Sequence, residues 1–210
     1  QPAVEITGNL DSWNGSDAEA LPNAVFPIFE NVTIPDPGPG LSWQVESLSL
    51  QAVAQNWWGG SSGNATGFRA WLLPGTLTNG GPYTQKWPAE TLAYFEYNHG
   101  GPLPQGYANA IPVTVANSAA LLVAGGSYYL EIRSLAAEDW SSYLAVGRDG
   151  GANSYAGGAE GYFQLGSTVG INANHDLVFA LNGAAVVIPE PATLILLSGG
   201  LMILRRIRRR

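Results

Sequence analysis

The sequence has no cysteine, which excludes disulfides and thiolate metal sites but leaves the redox compartment open, because many exported bacterial domains fold without bridges. Charge is scarce as well: Asp, Glu, Lys and Arg make up 12% of the chain, against an ordinary share of about 25%. Nothing before residue 184 sustains helical spacing over a helix length, so a helical bundle is excluded. There is no Ser-centred elbow, phosphate loop or EF-hand spacing, which removes the motif-bearing hydrolases, nucleotide binders and calcium sensors. No stretch recurs at a fixed spacing, so a repeat array is excluded too.

What the chain does have is 27 Gly, 14 Pro and seven Trp in 210 residues, the profile of many short strands joined by turns. The clearest period-two stretches are "TLAYFEY" at 91–97, expected as a strand buried on both faces, and "SYYLEIRS" at 127–134. Gly125-Gly126 before the latter predicts a tight turn from "ALLVA", hence a hairpin. Further strands are expected in "VFPIFENVTI", "WQVESLSLQAVA", "GFRAWLL", "AIPVTVA", "SYLAVG", "GYFQLG" and "DLVFALNG". In "WQVESLSLQA" the apolar phase switches from Trp43/Val45 to Leu48/Leu50/Ala52, which predicts a β-bulge. The stretches 56–67 and 148–161 are rich in Gly and poor in apolar residues, and read as surface loops. Eight or nine strands with such turns fit an all-β fold, an antiparallel β-sandwich of jelly-roll type, over residues 1–183.

Charge is distributed unevenly. Arg205, Arg206, Arg208, Arg209 and Arg210 are five of nine basic residues, so residues 1–204 hold four basic against sixteen acidic side chains, a formal charge of −12. A body that acidic repels phosphate backbones, which argues against nucleic-acid binding. Residues 184–188 read as a linker, and 189–210 as a tail in which Ile188-Pro189-Glu190-Pro191 precedes thirteen uncharged residues, Ala192 to Leu204. At ~1.5 Å per residue these span ~20 Å, short of a ~30 Å hydrocarbon layer. Snorkelling of Arg205 and Arg206, the extra apolar Ile207 and local thinning close the gap. A single transmembrane helix is therefore expected after the sandwich, with the arginines as its cytoplasmic stop and the body exported. The opening at Gln1, without a basic-then-apolar leader, fits a mature form from which a signal peptide has been removed.

The order of proline box, apolar span and basic end resembles the PEP-CTERM sorting signal of Gram-negative bacteria. Pro189, Glu190 and Pro191 match its box, Ala192–Leu204 its span, and Arg205 to Arg210, interrupted by Ile207, its basic end. The body, in "VESLSLQAVA", "GFRAWLL", "GGSYYLEIRS" and "DLVFALNG", is similar to choice-of-anchor β-sandwich domains that precede such tails. The resemblance implies processing near the box by an exosortase-type membrane enzyme. It also implies delivery to the cell surface or extracellular matrix, in organisms that often make exopolysaccharide.

Catalysis has little to rest on. His99 in "YNHGGPLP" and His175 in "NANHDL" are the only histidines, both in turn contexts, where a solvated role is the ordinary one. Glu96, Glu131 and Asp139 are the candidate carboxylates for glycoside hydrolysis, which requires two at a set separation. They read instead as solvated strand and loop acids, and no enzymatic activity is expected. Carbohydrate binding is the alternative: Trp57, Trp58, Trp87 and Trp140 lie in or beside loops, where aromatic faces stack on sugar rings. Asp149, Asn153 and Asp176 are candidate ligands for a structural Ca²⁺; no other cofactor is expected.

Overall fold

A computed structural model describes residues 3–12, 18–21, 27–54, 65–118, 121–135, 144–149, 155–156, 158–164, 168–172 and 174–188. The described chain is almost wholly β. Its strands are β1 (Val4–Gly8), β2 (Ala18–Leu21), β3 (Ile28–Ile34), β4 (Leu41–Ala54), β5 (Gly67–Pro74), β6 (Ala93–Asn98) and β7 (Ile111–Ala116). They continue with β8 (Leu122–Val123), β9 (Gly126–Ser134), β10 (Leu144–Gly147), β11 (Glu160–Gln164), β12 (Thr168–Asn172) and β13 (Phe179–Val187). Two antiparallel sheets result. The seven-stranded one runs β1-β13-β4-β10-β2 with β7 and β8 also on β4, and the six-stranded one runs β12-β11-β3-β9-β5-β6.

Alternation explains the layering. Ile28, Val32 and Ile34 of β3, Phe68, Ala70 and Leu72 of β5, and Leu130 and Ile132 of β9 turn one face of the six-stranded sheet inward. They meet Val45, Leu48, Leu50 and Ala52 of β4 and Phe179 and Leu181 of β13 in a single core. Strand β4 keeps this up over 14 residues only because its phase is corrected midway. Ser47 pairs with Asn182 and Val45 with Gly183, leaving Glu46 as the extra, exposed residue. This is the bulge that the apolar phase switch predicts. Asn117 fastens it: its amide N–H reaches the Glu46 carbonyl at 2.7 Å and its Nδ2 the Val45 carbonyl at 2.7 Å. Its Oδ1 accepts the Tyr94 N–H at 3.0 Å, joining the edge of one sheet to the bulge of the other.

The structure departs from expectation in five places. The described residues form thirteen strands, since β1, β2 and β12 are short and lack a strong period-two signature. The hairpin at Gly125-Gly126 is a crossover: Val123 pairs with Trp43 in one sheet, whereas Tyr128 pairs with Val32 in the other. Gly125 is required there because a Cβ would stand 2.7 Å from Asp36 Cα. Strand β6 is buried on one face only, as an edge strand with Glu96 exposed. The stretch 148–161 is not all surface loop, for Asp149 and Tyr155 are buried and Glu160 opens β11. Ala184 to Val187, expected as linker, continue β13 against Leu41–Gln44.

Among the described residues no helix is long and apolar enough to cross a membrane. The segment Ala192–Leu204, where the span is expected, lies outside them.

Candidate functional site

Among the described residues the outer face of the six-stranded sheet carries one buried carboxylate, Glu131 on β9, at 0% exposure. It sits there because β9 alternates: Leu130 and Ile132 take the core, which leaves Tyr129, Glu131 and Arg133 on the other face. The segment 75–92 crosses this face, pinned by Asn31, which exchanges two hydrogen bonds with the Leu77 main chain at 2.9 and 3.1 Å. Trp87 and Tyr83 thereby reach Glu131. The indole Nε1–H donates to Oε1 at 2.8 Å, the Tyr83 hydroxyl lies 2.9 and 3.0 Å from the two oxygens, and Arg133 Nε donates at 2.7 Å. Burial and the Glu131 charge raise the Tyr83 pKa, so the phenol stays protonated and donates.

Trp87 is fully engaged by this arrangement. Its ring stacks on Trp71 at 4.6 Å and 12°, and the Arg133 guanidinium lies 5.3 Å from its centroid. An indole held this way anchors the crossing segment.

On the neighbouring strands Arg69 and Glu96 form an exposed pair at 3.1 Å, and the Tyr94 hydroxyl donates to Glu96. That donation holds the Glu96 carboxyl below its usual range, while burial and Glu96 together push Tyr94 up to about 12. Glu96 and Glu131 lie on β6 and β9, on opposite sides of β5, one exposed and the other roofed by Trp87 and Tyr83.

A second group of acids lies between the sheets. Glu30 shares the inward face of β3 with Ile28 and Val32, and Glu160 is its cross-strand partner on β11. Asp149 follows β10 and Asp176 precedes β13, and two hydrogen bonds join them, Asp149 N–H to the Asp176 carbonyl at 3.1 Å and Asp176 N–H to Asp149 Oδ1 at 3.3 Å. All four are at most 3% exposed. Glu30 Oε2 accepts the Leu177 N–H and Asp176 Oδ2 the Tyr155 N–H, each at 2.8 Å. Arg148 lies 3.7 Å from Glu160. Burial, reinforced by the neighbouring carboxylates, raises the Glu30 pKa well above its usual value and that of Asp176 to about 6.

These shifts set the pH dependence of stability. Between about pH 4 and 6 the folded state binds more protons than the unfolded chain at Asp176, so stability falls as pH rises through that window, and Glu30, also raised, adds to the fall with the same sign. At about 1.4 kcal/mol per pKa unit, the Asp176 rise from 3.8 to about 6 is worth about 3 kcal/mol over the whole window, of which about half is lost between pH 5 and pH 7.5. From the Asp176 share alone we expect Tm to rise by about 3–6 °C from pH 7.5 to pH 5, measured calorimetrically. Asp176→Asn, which keeps the acceptor for Tyr155, flattens the rise and lifts Tm at pH 7.5. Glu96 acts with the opposite sign, but its lowered pKa places that loss below the window.

Among the expected calcium ligands Asp149 and Asp176 are thus brought together, with Glu30 and Glu160 joining them unforeseen. Asn153 lies outside the described residues. No three acidic or imidazole groups among the described residues are placed to hold a metal ion. His99 is exposed beside the Tyr97 hydroxyl at 2.8 Å, and the His175 N–H caps the Asn172 carbonyl at 3.3 Å. Trp57, Trp58, Asp139, Trp140, the Pro189-Glu190-Pro191 box and Arg205, Arg206, Arg208, Arg209 and Arg210 lie outside the described residues. No signal in the sequence marks Glu30, since one acid in an apolar strand looks the same whether it points in or out.

No protein-family model matches this chain, and no curated protein matches it.

Proposed function

We propose that the chain is an exported structural or adhesive module of the cell surface or extracellular matrix, without catalysis of its own. In this reading the sandwich is jelly-roll-like, as its chain passes repeatedly between the sheets. It is followed by a PEP-CTERM-type tail that inserts as a single helix, holds its arginines inside and is processed near Pro189-Glu190-Pro191 by an exosortase-type enzyme. Extracellular polysaccharide is the surrounding partner. The observation that carries the reading is the exit of the chain: β13 ends at Val187, 72% exposed, and Ile188, 43% exposed, immediately before the proline box. A tail starting there needs no rearrangement of the core to reach a membrane.

Protease protection in spheroplasts tests it. The body is expected to be digested from outside while the extreme C-terminus survives until the membrane is opened. Replacing all five arginines by serine scrambles the orientation, and Pro189→Ala/Pro191→Ala blocks processing without blocking insertion. A full-length chain that fractionates with the cytosol overturns the reading.

A further inference from the structure

The large apolar side chains exposed among the described residues are Val4, Leu121, Leu122, Val187 and Ile188, and they lie at one end of the sandwich. Val4 pairs with Gly183, Gly183 with Val45, Leu122 with Gln44 and Val187 with Leu41. They therefore fall within the last few residue rows of the seven-stranded sheet, about 13 Å along the strands and about 14 Å across β1, β13, β4 and β8. The loop from β3 to β4 closes the same end, and the Ile188 N–H bonds the Gly40 carbonyl at 3.0 Å.

Two half-buried aromatics stand at this end with their polar tips already satisfied. Trp43 Nε1 donates to the Pro35 carbonyl and the Tyr128 hydroxyl to the Ala124 carbonyl, each at 2.8 Å. Scattered exposed apolar residues are ordinary on a folded surface. Their confinement to the end from which a 13-residue uncharged segment departs is not.

We propose that this apolar rim rests in the headgroup region of the bilayer while the tail is inserted, docking the sandwich end-on and holding the Pro189-Glu190-Pro191 box at the membrane surface. The proposal rests on the membrane reading of the tail and adds to it a second, independent contact. Exposed Glu5, Asp36 and Glu46 border the rim, so the surface it fits is a zwitterionic lipid, since anionic headgroups repel them. Apolar side chains with adjoining Trp and Tyr are the residue types that partition to this depth.

The absence of cysteine makes the test direct. Single cysteines at Leu122, Val187, Asn98 and Leu197 are labelled with an environment-sensitive fluorophore. The full-length chain is then placed in phosphatidylcholine nanodiscs containing lipid nitroxide quenchers. Leu122→Cys is the deciding variant, being remote in sequence from the tail, with Val187→Cys as the second. Both labels are expected to shift to the blue and lose intensity to the quenchers, while Asn98→Cys at the opposite end stays bright. Quenching at Leu197 without quenching at Leu122 overturns the proposal and leaves the tail reading standing. No quenching at Leu197 overturns both. A Leu122 label that is shielded by raising protein concentration, without response to lipid quenchers, shows a second copy on the rim and also overturns it.

Discussion

Glu131→Ala is expected to remove about 3–5 kcal/mol of stability, the loss that follows when one member of a buried charge pair is deleted. The Glu131 carboxylate is wholly enclosed, yet it accepts from Trp87, Tyr83 and Arg133 together. Truncating it removes the carboxylate to which the Arg133 guanidinium, only 14% exposed, donates, and takes away the acceptor that holds Trp87 against Trp71. Against a total of about 5–15 kcal/mol for an ordinary domain, that brings the fold close to its threshold. Urea titration should show a lower midpoint with little change in slope. The companion Glu131→Gln separates charge from shape: it keeps an acceptor for the indole but removes the negative charge that Arg133 Nε donates to, so an intermediate loss is expected. Equal losses in the two variants would mean that charge carries the whole effect, and no loss in either would show that the cluster contributes nothing net.

The same cluster shows what the sequence makes legible and what it hides. The strand "SYYLEIRS" is readable because alternation along one segment depends on nothing beyond it. That Glu131 is buried depends on Tyr83 and Trp87 arriving from more than forty residues away, a tertiary fact with no local trace. Glu30 is a sharper case, because its neighbours Phe29 and Asn31 read equally well as the core side until β9 and β11 fix the register. The crossover at Gly125-Gly126 misreads as a hairpin for a related reason: paired glycines permit a sharp change of direction but do not say to which sheet the chain turns. The bulge in β4, in contrast, is written into the chain, since two apolar phases in one strand can share a face only if a residue is inserted between them. The tail lies outside the described residues and is read from composition alone, an uncharged run between a proline box and an arginine cluster.

Gly183→Ala is the second substitution expected to act strongly, and its mechanism is purely steric. Gly183 lies opposite the bulge, where Val45 takes the register that Glu46 vacates. A Cβ there would stand 2.1 Å from the Gln44 carbonyl oxygen and 2.9 Å from Ile6 Cδ1. The isoleucine tip has room to turn; the carbonyl does not, being part of a ladder in which β13 is hydrogen-bonded to β4 on one side and β1 on the other. Either the bulge opens or β13 separates locally from β4, and the loss is expected at about 3 kcal/mol, the upper range for overpacking. Gly101→Ala is the matched control, for nothing lies within 4 Å of its added Cβ. It should be neutral or stabilising by about 0.4–1 kcal/mol through the unfolded chain. Hydrogen exchange then locates the damage: amides of β1 and of Ala184–Val187 are expected to lose protection in Gly183→Ala while those of β5 and β9 keep it. Protection lost evenly over both sheets would show instead that the bulge is not a local joint but part of the cooperative core.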